Sequence, residues 1–186
     1  MNSYRYNAST PFKSGTDRLK NAIRDVPDFP KEGIVFKDLS PVLEDRQLFR
    51  LAISMFNDRY QRRQIDTIIG IEARGFIFGS ALAYVLGCGF TMVRKKGKLP
   101  HKCLEASYDL EYGSNVIEIH EDSLEKGMRV LVIDDVLATG GTMKAAIELA
   151  QRLETDVVEA ATFIELEFLK GREKLGETPV FSLITY

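Results

Sequence analysis

The sequence predicts an α/β fold built on a mostly parallel central sheet flanked by helices, and three observations predict it. Short runs rich in Val, Ile and Phe show little alternation, as strands buried on both faces do. Amphipathic stretches separate those runs. One run ends in two carboxylates, turns through small residues and opens a helix. The expected strands are Ile65–Ile71, Phe90–Val93, Val130–Ile133, Val157–Ile164 and Phe181–Ile184. Between them, Gln47–Tyr60 places Leu48, Leu51, Ala52, Met55 and Phe56 on one stripe, and Phe76–Leu86 and Met143–Leu153 also carry helical spacing. Two regions stand outside the alternation. The opening 40 residues are punctuated by Pro27, Pro30 and Pro41. Lys95 to Gly113 is polar and without evident period, and it is expected to be a long loop of the kind that forms functional lids.

Composition narrows the function classes. With 186 residues, 45% hydrophobic and 28% charged, one compact domain is the expectation, with a core that needs no disulfides. Cys88 and Cys103 stand apart with no CxxC spacing, so they read as reduced thiols rather than a zinc site or a disulfide frame. The apolar stretches stop short of the ~20 residues that a bilayer span needs, and no basic-then-apolar leader opens the chain, so a cytoplasmic location is expected. Twenty-five basic residues against 27 acidic ones give no overall field for nucleic acid or a membrane surface. An anion site must be local.

The strongest signal is the stretch from Val130 to Met143. Thr139, Gly140, Gly141 and Thr142 offer unobstructed backbone N–H groups, two hydroxyls and the positive end of the following helix dipole, which together make a phosphate cradle with Ala138 at its entrance. It lacks the Gly-Lys-Ser/Thr ending of a nucleoside triphosphate loop. Asp134 and Asp135 would repel a phosphate beside them but suit two adjacent sugar hydroxyls, so the combination asks for a ribose phosphate. The plain alternative is a capping turn with solvated acids. A second anion site is suggested by Ile71-Glu72-Ala73-Arg74-Gly75, where a strand ends and a helix begins, and a third feature is Arg94-Lys95-Lys96-Gly97-Lys98, four cations in five residues. Without its neighbours, that run would read as solvated surface.

The acid pair with Ala138-Thr139-Gly140-Gly141-Thr142 resembles the signature of the type I phosphoribosyltransferases, and within them the adenine branch. Phe29-Pro30, Gly33 to Asp38, Ser40 to Leu43, Arg74-Gly75-Phe76, Arg94 to Pro100, Tyr108 to Gly113 and Lys170 to Leu175 are similar to further blocks of that family, so the likeness covers nearly the whole chain after Asp17. It implies the type I phosphoribosyltransferase fold over residues 17–186, preceded by an extension of residues 1–16, with a small N-terminal hood over the base site at about 27–40 and a mobile lid loop at about 95–113. The activity implied is transfer of a 5-phosphoribosyl group from phosphoribosyl pyrophosphate (PRPP) to adenine, giving AMP and pyrophosphate. Another purine base, or a PRPP-sensing regulator of purine metabolism, are the alternatives, although no basic recognition helix is evident.

The resemblance also assigns roles. Asp134, Asp135, Ala138, Thr139, Gly140, Gly141 and Thr142 would bind the ribose 5-phosphate. Glu72, Ala73, Arg74, Arg94, Lys95 and Lys98 would receive pyrophosphate, with a strained or cis peptide near Glu72 and Ala73 and some contacts crossing a subunit boundary. Val35, Phe36 and Lys37 would hold the adenine, Phe36 by stacking, with Val136 and Leu137 on the other side. Lys37 stands where the family often has Arg, which leaves a backbone role there. On the lid, Glu111 would exchange a proton with the purine and Tyr112 would position a substrate; Glu111, Asp134, Asp135 and Arg74 are the implied catalytic residues. Mg²⁺ would ride on the substrate rather than in a protein cage, and a homodimer is implied. His101 and His120 match no known spacing, and Glu165, an acid inside an apolar run, faces either the site or an interface.

Overall fold

A computed structural model describes residues 14–109 and 114–186, which divide after Ala52 into an N-terminal unit and a larger C-terminal one. The first element among the described residues of the N-terminal unit is helix α1 (Gly15–Ala22), whose first turn is capped by Ser14 Oγ accepting the Asp17 N–H at 3.1 Å. Strands β1 (Arg24–Pro27) and β2 (Val35–Asp38) pair antiparallel, so the proline-punctuated opening contains a hairpin. Its turn is fixed by the Asp28 carboxylate, which accepts the Gly33 N–H at 2.8 Å, with Gly33 at φ +84°. The Phe29–Pro30 peptide is cis, and Phe29 meets Phe36 edge to face at 5.2 Å. Asp38 then accepts the N–H and hydroxyl of Ser40 at the start of α2 (Ser40–Glu44). Asp45 accepts from Gln47 and Leu48 to start α3 (Arg46–Tyr60).

The C-terminal unit is a seven-stranded sheet of β3 (Thr67–Ile71), β4 (Gly89–Lys95), β5 (Cys103–Asp109), β6 (Ser114–His120), β7 (Arg129–Leu137), β8 (Asp156–Glu165) and β9 (Val180–Thr185), in the order β5-β6-β4-β3-β7-β8-β9. β4, β3, β7, β8 and β9 run parallel; β6 is antiparallel to both its neighbours. All five expected strands form. The segment expected to be one long loop instead carries β5. Its alternation is short: Leu104, Ala106 and Tyr108 pack toward the core while Glu105 and Ser107 stay outside it.

Two crossover helices cover opposite faces. Helix α5 (Gly141–Arg152) lies over Ile69, Ile71, Val130 and Val132 and buries Met143, Ala146, Ile147 and Ala150 there. Helix α4 (Gly75–Leu86) lies on the other face, close enough that a methyl on Gly79 would come within 2.9 Å of Ile133 and 2.8 Å of Phe90. Phe78 stacks on Phe163 at 4.9 Å beside Phe56, all fully buried. A buried acid is neutralised on this side too: Arg59 makes two 2.6 Å bonds to Glu159, which also accepts the Tyr60 hydroxyl at 2.6 Å, while the guanidinium lies over the Phe181 ring. The chain passes from β3 to β4 on one side, then returns to β7 on the other. That reversal of direction is where open α/β sheets leave a ligand crevice beyond the carboxyl ends of their strands.

Candidate active site

Register brings three strand ends together. Gly70 pairs with Ile133 and Ile71 with Val93, so Asp134 comes level with Ile71, and Glu72 and Arg94 emerge together one residue further along the carboxyl edge. Each of the three anion-related sequence features therefore opens onto one edge, although they are spread over more than 60 residues.

In the last residues of β7, beyond its pairing with β3, the Asp135 N–H donates to Asp134 Oδ1 at 2.8 Å, and Arg74 Nε donates to the buried Asp135 carboxylate. Burial, and then the Asp135 carboxylate at its side, push the Asp134 carboxyl well above the usual carboxylate range. Gly75 is what lets α4 start this close. A side chain there would lie 2.9 Å from the Ile133 carbonyl and 3.0 Å from Asp134 Oδ1.

The chain next turns through Ala138 and Thr139 to Gly140, at φ +81°, and enters α5 at Gly141. Asp134 and residues 136–143 enclose a cavity of about 70 Å³ at this turn, so the first acid of the pair and the Thr/Gly cradle share one concavity. The first N–H groups of a helix have no intrahelical partner, and they open here. Leu137 is 1% exposed and belongs to the core, so what it offers the cavity is backbone, whereas Val136 is half-buried.

Beside it, the Glu72–Ala73 peptide is cis and Arg74 leads into α4. The Glu72 side chain faces the cations, which leaves its backbone for an anion. Its Oε1 accepts from Lys98 Nζ at 2.6 Å and Arg94 Nη2 at 3.2 Å, and Oε2 from the Lys95 N–H at 3.1 Å. Burial alone would raise its pKa, but Lys98, Arg94 and the Lys95 amide outweigh it and hold the carboxyl at about 2. Arg94 is anchored further by Nη1 donating to the Lys98 carbonyl at 3.0 Å, and its Nε is buried without a hydrogen-bond partner.

Sequence reasoning missed Glu118. It is 4% exposed on β6, and its carboxylate accepts the N–H groups of Gly97, Lys98 and Leu99 at 3.1, 2.9 and 2.8 Å, shaping the turn that carries the cations. Those three donors overcome burial and lower its pKa. The available signal was an acid between buried Ile117 and Ile119. Glu165, whose surroundings the sequence left open, ends β8 and is bound by Arg172 and Ser182.

Val35, Phe36 and Lys37 lie on β2 in the N-terminal unit, where Lys37 Nζ bonds Asp25 Oδ1 at 2.6 Å. Glu111 and Tyr112 lie outside the described residues. His101 and His120 sit edge to face at 6.1 Å; among the described residues no three His, Cys, Asp or Glu side chains are grouped to hold a metal.

The sequence profile of the phosphoribosyl transferase domain matches residues 40–182. The chain belongs to the phosphoribosyltransferase family. Its relatives lie in the adenine branch. It is 52% identical over 170 residues to an adenine phosphoribosyltransferase of Geobacter metallireducens, covering 91% of this chain and 99% of the relative. The fold superposes with TM-score 0.89 on the crystal structure of adenine phosphoribosyltransferase from Thermoanaerobacter pseudethanolicus, at 47% identity and covering 92% and 99% of the two chains. It also superposes, at TM-score 0.88 and 44% identity over 92% and 99%, on the Saccharomyces cerevisiae adenine phosphoribosyltransferase complexed with an imino-altritol bisphosphate and adenine.

Proposed function

We propose that this chain transfers the 5-phosphoribosyl group of PRPP to adenine, releasing AMP and pyrophosphate, as a purine-salvage enzyme. One observation carries the reading: a paired-acid strand end, a phosphate cradle and a cation turn open together on the carboxyl edge of one sheet. The yeast relative, complexed with a bisphosphate and adenine, supports the base assignment.

In this reading the 5-phosphate takes the N–H groups and hydroxyls of residues 138–142, while Asp134 and Asp135 accept the ribose hydroxyls. A bond forms from a ring nitrogen of adenine to the anomeric carbon as that carbon's bond to the pyrophosphate oxygen breaks, and the ring nitrogen's proton passes to Glu111. Positive charge develops on the ribose, and the two carboxylates beneath it oppose that charge. Arg74, Arg94, Lys95 and Lys98, with the backbone of Glu72 and Ala73, receive the departing pyrophosphate. Mg²⁺ supplies neutralisation of the leaving group when bound; the donor set suits a metal carried by substrate, with Asp134 and Asp135 as its protein-side partners. Val35, Phe36, Lys37, Val136 and Leu137 hold the base, Tyr112 positions a substrate, and the lid that carries it excludes water.

The reading includes a cytoplasmic homodimer, with residues 1–16 as an extension of the catalytic domain. Supporting the dimer, α4 presents Ile77, Tyr84 and Val85 at 40, 89 and 50% exposure, an apolar helix face that a second copy would cover. Two free thiols fit a reducing compartment, and among the described residues no helix is long and apolar enough to cross a membrane.

The test is pyrophosphate release from PRPP and Mg²⁺ with adenine, hypoxanthine, guanine or xanthine. Release with adenine alone is expected. Release with a 6-oxopurine instead would reassign the base, and release with none would favour a PRPP-sensing regulator.

A further inference from the structure

The back of the phosphate loop is pressed against a second backbone. A Cβ on Gly140 would lie 2.3 Å from the Gly171 carbonyl oxygen, and one on Gly171 would lie 2.1 Å from the Ala138 carbonyl oxygen and 2.9 Å from the Gly140 nitrogen. Two glycine backbones meet there with no space for a methyl group on either, so the position of Gly171 sets the shape of the turn from behind.

What sets Gly171 is the residue after it. Arg172 donates from Nε to Glu165 Oε1 at 2.9 Å, from Nη2 to Glu165 Oε2, and from Nη1 to the Val180 carbonyl at 2.8 Å. Glu165 is 3% exposed, and Ser182 Oγ donates to it as well. Its own backbone is fixed at the site's edge, because Glu165 pairs with Leu137 across the sheet and the Leu166 N–H donates to the Leu137 carbonyl at 2.9 Å. The planar guanidinium is thus held on two strands, β8 and β9, with the glycine one residue away resting on the cradle. Neither Arg172 nor Glu165 lines the cavity.

We propose that Arg172, clamped by Glu165, is a positioning residue for 5-phosphate binding: it holds Gly171 against Ala138 and Gly140 so that the cradle N–H groups converge before ligand arrives. A fork-to-fork pair does this better than a single charge, because it fixes orientation as well as distance. The gain is preorganisation, and it belongs to the phosphate end of the substrate alone. The inference rests on the ribose 5-phosphate reading of the loop.

The test measures ribose 5-phosphate binding by calorimetry, together with kcat and the two KM values, in R172A, R172K and the milder S182A. R172A is expected to weaken ribose 5-phosphate about tenfold and to raise KM for PRPP by a similar factor, with KM for adenine unchanged and kcat within about threefold. R172K should recover part of the loss and S182A should lose about two- to threefold. R59A, which breaks the comparable Arg59–Glu159 pair away from the loop, controls for lost stability and should bind ribose 5-phosphate as wild type does. Wild-type binding in R172A and S182A, or equal losses in R59A, overturns the clamp while leaving the loop's ligand in place. Failure of the wild-type protein to bind ribose 5-phosphate overturns the reading of the loop and the clamp with it.

Discussion

Glu72→Gln tests whether the cation turn is held by charge. Glutamine keeps the shape and one acceptor for the Lys95 N–H, but removes the partner of Arg94 and Lys98. The fall of the Glu72 pKa from an ordinary 4.5 to about 2 corresponds, at roughly 1.4 kcal/mol per pH unit, to at most about 3.4 kcal/mol of native-state stability. The Lys98 and Arg94 side chains are 47% and 30% exposed, and solvent screening reduces that ceiling to about 1–2 kcal/mol. Above pH 5 the carboxyl is ionised in both folded and unfolded chains, so the wild type keeps its full advantage. Below about 4.5 the unfolded chain takes up a proton that the folded one refuses, and the advantage shrinks until it vanishes near pH 2. Urea unfolding of both proteins at fixed concentration from pH 7 to pH 2.5 measures it, and thermal melts at pH 7 should show a Tm lower by roughly 3–6 °C in the variant. A gap of equal size at pH 7 and pH 3 would refute the electrostatic account.

Asp134→Asn should behave oppositely. Its folded pKa lies above the unfolded value, so ionisation favours unfolding, and the variant's stability relative to wild type should rise as pH increases from about 4 toward neutrality while turnover falls; unfolding curves at pH 4 and 7 check the sign. Glu118→Ala strands three N–H donors, so it should cost about 2 kcal/mol or more and raise KM for PRPP, with Glu118→Gln milder; steady-state kinetics alongside urea unfolding would show both. Lys98→Ala should raise KM for PRPP severalfold with KM for adenine unchanged, and an unaltered value would remove Lys98 from pyrophosphate binding. Glu111→Leu should lower kcat by roughly 10² to 10⁴ while adenine binding changes little, as equilibrium titration would show; wild-type turnover would exclude general acid–base catalysis by that residue.

Features written in consecutive residues are legible before any fold is known. Strands buried on both faces need unbroken apolar runs, so β3, β4, β7, β8 and β9 were legible, and the acid pair with its Thr/Gly turn was legible because one strand–turn–helix carries all of it. β5 and β6 were not: a sheet-edge hairpin buries one side only, and its Leu104-Ala106-Tyr108 alternation is diluted by charge. The partners of the buried charges come from packing. Arg74 finds Asp135 across 61 positions and Arg59 finds Glu159 across 100, while Glu118 and Glu165 acquire meaning from N–H groups and a guanidinium that register, not spacing, brings to them. The physical reason is range. Backbone periodicity acts within a turn or a strand, whereas burying a carboxylate demands whichever donor the packed layers deliver to it.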